Sequence, residues 1–116
     1  AGEGWLVLGD MRELGEQDGE LHAQAGRRAC ASGITRLYAL GELSGMAAAA
    51  FGEGARVFDS HAALADALRI DLQKYVETRA AGQAALRVLV KGSRGSAMDR
   101  IVVALLSARE KTSHAA

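Results

Sequence analysis

Proline is absent from the chain of 116 residues, and cysteine occurs once, at position 30. A chain of this length holds about six prolines at average usage, and nothing in the alanine-rich composition ties their absence to a function. A lone cysteine excludes an intrachain disulfide framework and is typical of a reducing compartment. Fourteen Lys and Arg balance fourteen Asp and Glu, so the formal net charge is zero. Because nucleic-acid binders usually carry a basic excess, this balance argues against that class.

Membrane-spanning and cofactor-binding signatures are missing as well. No apolar run approaches the roughly 20 residues that a helix needs to cross a bilayer. No segment has the P-loop pattern GxxxxGK[ST], and segment 9–15, GDMRELG, places an acid where a dinucleotide fingerprint needs close backbone approach. The three histidines are scattered and give neither metal-ligand spacing nor a catalytic triad. We therefore expect a cytoplasmic, single-domain chain that binds no nucleotide or metal through a motif of its own.

The two ends of the chain carry expectations too. The sequence starts AGEG, without an initiator Met or a signal peptide, and the first strand-like run follows at once. We interpret this start as a cut within a longer protein. The tail, residues 110–116, is predicted to be frayed.

Short apolar runs alternate with longer helical patterns along the chain. The predicted strands are residues 5–8, 37–40, 56–58 and 86–90, and the predicted helices are about 18–32, 44–51, 60–81 and 97–109. Ser44 and Ser60 are predicted to cap the second and third helices. Continuous apolar strands that alternate with helices are typical of a parallel sheet buried on both faces. The predicted fold class is α/β, a Rossmann-like three-layer domain with a mostly parallel sheet and helices on both faces.

The carboxyl ends of parallel strands share one edge of the sheet, and ligands bind at that edge. The prediction gathers Asp10, Glu42, Asp59 with Ser60, and segment 91–94 on this rim. An acid at a strand end can bind a ligand ammonium group, although such acids more often are solvated or cap a helix. His22 is expected on a helix surface, and Cys30 is expected to be buried as a small apolar residue.

Segment 91–96, KGSRGS, is the strongest candidate on the rim. Its glycines let backbone N–H groups turn toward a ligand, and Lys91 and Arg94 add two positive charges. Arg94 can hold a carboxylate by two parallel hydrogen bonds, which lysine cannot do. The chemistry favours a carboxylate or phosphate site, while a solvated turn with Ser96 as a helix cap explains the same residues.

Four segments, in this order, resemble the C-terminal domain of the Mur ligases, and most closely its D-alanyl-D-alanine-adding branch. They are VLGDMRELG at 7–15, LH at 21–22, ALGELS at 39–44, and LVKGSR at 89–94 with Met98 and Asp99 following. The resemblance covers nearly all of the chain. It implies that residues 1–116 are one domain, the amino-acceptor and closure domain of a three-domain ligase.

The resemblance further implies an ATP-dependent reaction in peptidoglycan precursor synthesis, and so a part in cell wall biogenesis, cell shape and division. In such enzymes ATP, with Mg²⁺, converts the terminal carboxylate of UDP-MurNAc-tripeptide to an acyl phosphate, which the amine of D-Ala-D-Ala attacks. The P-loop and the Mg²⁺ ligands belong to the central ATPase domain, a partner in cis. The chain alone is therefore expected to be inactive.

Substrate contacts are expected from eight residues, none of them catalytic. By resemblance they are Lys91, Gly92, Ser93, Arg94, Leu43, Ser44, Asp10 and Met11, with Ser93 and Arg94 on the dipeptide carboxylate. A family strand that lies just upstream is absent, which leaves a sheet edge open and predicts self-association. The alternative function is a stand-alone α/β module that holds phosphate or carboxylate without turnover.

Overall fold

The computed structural model describes residues 3–11, 15–78, 86–92 and 97–103. The strands are β1 (Gly4–Gly9), β2 (Ile34–Leu40), β3 (Ala55–Phe58) and β4 (Arg87–Lys91). The helices are α1 (Asp18–Ala31), entered through a 3₁₀ turn at Gly15–Gln17, α2 (Glu42–Phe51) and α3 (His61–Thr78). Residues 99–103 are also helical, within the predicted last helix. The predicted frayed tail, residues 110–116, lies outside the described residues.

All four strands are parallel, in the order β3-β2-β1-β4. In the register, Gly9 lies beside Leu40 and Leu8 lies beside Lys91, so the carboxyl ends of β1, β2 and β4 are level. The strand order reverses between β1 and β4. In open parallel sheets such a reversal opens a crevice at the carboxyl ends, where ligands bind.

Successive side chains of β1 point to opposite faces of the sheet, and the apolar side chains on each face pack against helices. Trp5 and Val7 face α3 and the segment around Met98 and Ile101. Leu6 and Leu8 face α1 and α2. The predicted three-layer α/β class is therefore confirmed, with a sheet that is wholly parallel among the described strands.

The layer formed by α1 and α2 is packed through very small residues. A Cβ atom added at Gly26 of α1 would overlap the backbone carbonyl oxygen of Ala47 in α2. Ala47 is fully buried, and Ala29 and Ala48 belong to the same cluster. The alanine-rich stretch of α2 thus lets the two helices approach backbone to backbone.

Three local expectations are wrong. Helix α2 begins at Glu42, with Gly41 as its N-cap, so Ser44 lies inside the first turn and does not cap it. His22 is fully buried rather than on a helix surface, because its ring turns under the loop that follows β1. Cys30 is exposed, since it lies on the side of α1 away from the buried Ala29.

Candidate functional site

The carboxyl ends of β1, β2 and β4 bring three of the predicted loops together. Asp10 and Met11 follow β1, the central one of these three strands, and α2 starts directly after β2. Lys91 ends β4, and Gly92 follows it. Asp59 and Ser60 follow the outer strand β3, where the Ser60 hydroxyl oxygen accepts a hydrogen bond from the Ala63 amide at 3.0 Å. The predicted cap of α3 by Ser60 is confirmed.

The carboxylate of Asp10 caps α2 from a different strand. It is 3% exposed, and its two oxygens accept hydrogen bonds from the amides of Ser44 at 2.7 Å and Leu43 at 3.2 Å. A negative group that binds the free N–H groups of a first helical turn stabilises that turn. Asp10 therefore joins the loop after β1 to the start of α2.

Gly41 makes this contact sterically feasible. Its φ is +114°, a backbone conformation that side chains with a Cβ rarely adopt. A Cβ atom there would also lie 2.5 Å from the carboxyl carbon of Asp10. The glycine of the ALGELS segment is thus required for the approach of Asp10 to α2.

Few groups in the first turn of α2 are available to bind a ligand. The amides of Leu43 and Ser44 are engaged by Asp10, and the Ser44 side chain is fully buried with no hydrogen-bond partner for its hydroxyl. Leu43 is half-buried and Glu42 is exposed. Of the two predicted contact residues here, Leu43 offers its side chain more readily than Ser44.

His22 holds the next residue of the same loop. Its Nε2 accepts a hydrogen bond from the Met11 amide at 3.0 Å, and its Nδ1 lies 2.6 Å from the carbonyl oxygen of Asp18. An amide can only donate and a carbonyl can only accept, so the proton is on Nδ1 and the ring is neutral. The i, i+4 spacing of Asp18 and His22 is readable in the sequence, but the bond to Met11 depends on the tertiary fold.

The basic loop is described only at its start. Lys91 and Gly92 are exposed. Lys91 pairs in register with Leu8, so its side chain leaves the sheet on the α1 and α2 side. None of the ion pairs among the described residues involves Lys91. Ser93 and Arg94, predicted to contact a carboxylate, lie outside the described residues, as do Gly95 and Ser96.

A second polar cluster lies at the opposite edge of the sheet. Asp71 of α3 accepts a hydrogen bond from the Tyr38 hydroxyl at 2.7 Å, and the guanidinium groups of Arg36 and Arg56 reach the same carboxylate oxygen at 3.2 and 3.6 Å. Burial and the hydrogen bond to Asp71 raise the pKa of the Tyr38 phenol above its ordinary value. The cluster ties α3 to β2 and β3.

A cleft of about 400 Å³ adjoins this cluster. Its lining includes Arg36 and Arg56, but also the carboxylates of Asp71 and Glu53, so its formal charges cancel. The cluster is internally compensated and provides no excess charge for an anion. The rim at the carboxyl ends remains the stronger candidate site.

The described residues do not fit a Mg²⁺ centre. Within the four described ranges, no group of three or more His, Cys, Asp or Glu side chains is placed to hold a metal ion. We assign no chemical step to Mg²⁺ on this chain. In the same ranges, no helix is long and apolar enough to cross a membrane.

The chain is similar to known proteins in sequence and in fold. No family model matches the chain. The chain is 38% identical over 100 residues to the UDP-N-acetylmuramoyl-tripeptide–D-alanyl-D-alanine ligase of Escherichia coli K12, a match that covers 86% of the chain and 20% of the enzyme. It is 28% identical over 106 residues to the enzyme of the same name from Buchnera aphidicola, with 91% of the chain and 21% of the enzyme covered.

Solved structures share the fold. Two crystal structures of MurF from Acinetobacter baumannii superpose with TM-scores of 0.75 and 0.73, each at 23% sequence identity. They cover 92% and 89% of the chain, and 23% and 21% of the crystallised chains. The chain thus spans about one-fifth of the length of the relatives that it matches. Over nearly all of its own length it is similar to a D-alanyl-D-alanine-adding ligase, which confirms the resemblance to the Mur ligases.

Proposed function

We propose that this chain is the C-terminal, amino-acceptor domain of a cytoplasmic, ATP-dependent ligase that adds D-Ala-D-Ala to UDP-MurNAc-tripeptide during peptidoglycan precursor synthesis. The observation that carries the proposal is the 38% identity over 100 residues to the E. coli enzyme of that name. The parallel sheet supports it, because ligands of open parallel sheets bind where the strand order reverses, and segments 7–15 and 89–94 end the two strands on either side of that reversal.

The proposed acceptor site is formed by the eight residues predicted from the sequence. Lys91 and Gly92 begin a basic loop on the far side of the crevice from Asp10 and Met11, and Ser93 and Arg94 continue it in sequence. Lys91 and Arg94 supply positive charge for the dipeptide carboxylate. Leu43 and Met11 supply apolar contacts for its methyl groups, while Asp10 and Ser44 form the turn beneath them.

The part played by the domain is to orient the nucleophile. The acyl phosphate would form on the central ATPase domain in cis, which binds ATP with Mg²⁺. Closure of this domain would bring the dipeptide amine to it. Holding two reactants in near-attack geometry lowers a barrier by several kcal/mol. No residue of the described rim is assigned as a general base.

A chimaera tests the proposal. The E. coli ligase in which this chain replaces the matching segment is expected to add D-Ala-D-Ala to UDP-MurNAc-tripeptide, whereas the same ligase with the segment deleted is not. A soluble, folded chimaera that binds ATP and UDP-MurNAc-tripeptide but does not consume the dipeptide would refute the assignment.

The chain by itself is expected to show no ATP-dependent phosphate release above background with D-Ala-D-Ala and UDP-MurNAc-tripeptide, because the groups that phosphorylate the carboxylate belong to another domain. Release that depends on both substrates would contradict this division of labour.

A further inference from the structure

The loop that follows β1 is fastened at two consecutive residues to two different helices. The Asp10 carboxylate binds the first turn of α2, and the Met11 amide binds the His22 imidazole in α1. The Met11 side chain in addition packs against the apolar cluster between the sheet and these helices. The place of Met11 on the rim is therefore set by groups that are themselves below the surface.

His22 is a polar residue at a fully buried position. The residue is 0% exposed, and a buried polar group without partners costs free energy. An apolar ring at this position would leave the Met11 amide without its acceptor. The bond from Nδ1 to the Asp18 carbonyl lies within α1 and fixes the ring orientation, which leaves the lone pair of Nε2 directed at the Met11 amide. The histidine thus serves the loop as well as the core.

The same geometry excludes a proton-transfer role for His22 in this conformation. Both ring nitrogens are engaged by backbone groups, and the side chain has no exposed surface through which a substrate atom could reach it. A general base must come within hydrogen-bond distance of the proton that it removes. His22 can act on a ligand only through Met11.

We propose that His22 is a positioning residue of the acceptor site, whose neutral imidazole fixes the Met11 backbone and so the part of the rim that follows β1. This inference rests on the function proposed above, since it takes the rim as the place where the dipeptide binds. It assigns to His22 a role in ligand affinity that is separate from filling the core.

The test titrates three variants of the chain with D-Ala-D-Ala and measures binding from the changes in backbone amide chemical shifts. In His22→Gln, the side-chain oxygen can accept the Met11 hydrogen bond from the position of Nε2. His22→Phe fills the volume but accepts no such bond. His61→Phe is the matched control, since His61 begins α3 and follows the outer strand β3.

We expect His22→Phe to raise the dissociation constant about five- to tenfold, the worth of one hydrogen bond. His22→Gln and His61→Phe should stay within about twofold of the parent chain. The nitrogen shifts of His22 in the parent chain should show a proton on Nδ1 and none on Nε2, and the Met11 amide should lose hydrogen-exchange protection in His22→Phe alone.

Each contrary outcome has a distinct meaning. Equal affinity of the parent chain and a folded His22→Phe variant overturns the positioning role and leaves the proposed function intact, as does a proton on Nε2. If His22→Phe does not fold, a five- to tenfold rise of the dissociation constant in folded His22→Gln overturns the positioning role, because that variant keeps an acceptor for the Met11 amide. Absence of any dipeptide-specific shift in the parent chain contradicts binding by this domain itself.

Discussion

At the residue scale, the Asp10 carboxylate connects the loop after β1 to the start of α2. Its two oxygens accept hydrogen bonds from two amides at the start of α2, and Gly41 leaves room for the carboxylate because it has no Cβ atom. Replacing Asp10 with Ala should lower the free energy of unfolding by about 1–2 kcal/mol, the usual cost of losing a helix cap. Urea unfolding measures this as a lower midpoint at constant slope.

Asp59→Ala is the matched control for that change. Asp59 also follows a parallel strand, but it is exposed. A surface substitution of this kind usually changes stability by no more than about 0.5 kcal/mol. Equal losses in the two variants would show that the cap at α2 contributes nothing.

Tyr38 gives a prediction for alkaline pH. Its folded pKa is raised, so the folded state keeps the phenol proton at a pH where the unfolded chain, with a pKa near 10, releases it. The stabilisation is therefore fully present below about pH 10 and is lost as pH rises above it. Tyr38→Phe removes this dependence together with the hydrogen bond to Asp71, which is worth about 1–3 kcal/mol.

Urea unfolding of both proteins between neutral pH and pH 11 measures the effect. The gap between the parent chain and Tyr38→Phe should be largest near neutral pH and should narrow above pH 10. Tyr75→Phe serves as a control, because it removes a phenol from a ring that packs against the apolar cluster containing Trp5 and Tyr38. A gap that widens above pH 10 would contradict the raised pKa.

At the scale of elements, the contact between α1 and α2 depends on Gly26. A methyl group there would overlap the Ala47 carbonyl, so the helices must separate. Gly26→Ala should destabilise the fold by about 1–3 kcal/mol, as overpacking does, despite the better helix propensity of alanine. Thermal unfolding measures the change.

Gly45→Ala provides the opposite case in α2. An added Cβ atom there meets nothing within 4 Å, and alanine favours a helix interior over glycine by about 1 kcal/mol. This substitution should raise the melting temperature while Gly26→Ala lowers it. Two changes of the same sign would refute the close backbone contact.

The outer strands of the described sheet bear on self-association. Leu89 on β4 is 47% exposed and Val57 on β3 is 57% exposed, so each outer strand carries an exposed apolar side chain. We expect the isolated chain to dimerise as concentration rises, because β3 and β4 have no outer neighbour among the described strands and such a strand can pair with another chain. Leu89→Lys should weaken the dimer. A monomeric mass by light scattering at the highest soluble concentration would contradict the expectation.

The hydrophobic pattern of the sequence predicts where the strands and helices lie, but not the side-chain contacts that connect them. The apolar runs place every described strand, and the hydroxyl of Ser60 caps the helix that follows it in sequence. The pattern predicts the start of α2 at Ser44 instead of Glu42, because the carboxylate that binds its first turn belongs to Asp10, 33 residues before Leu43. The burial of His22 is not predicted for the same reason, since its hydrogen-bond partner Met11 lies in the loop after β1.

At the scale of the whole molecule, the parallel order β3-β2-β1-β4 brings distant motifs to one edge of the sheet. The segments around Asp10, Gly41 and Lys91 are far apart in sequence, yet they end three adjacent strands. The sequence predicts this convergence from the alternation of strands and helices. The cross-links beneath it are tertiary contacts that no periodicity encodes.

Binding of the acceptor dipeptide at this rim can be measured on the isotopically labelled chain. The chain is titrated with D-Ala-D-Ala while backbone amide chemical shifts are recorded, with L-Ala-L-Ala, inorganic phosphate and ADP as controls. We predict shifts for D-Ala-D-Ala alone, confined to residues 91–94, the turn at 41–44 and Met11. Shifts that L-Ala-L-Ala or phosphate reproduces, shifts centred on Arg36 and Arg56, or no shifts at all would contradict binding of the dipeptide at this rim.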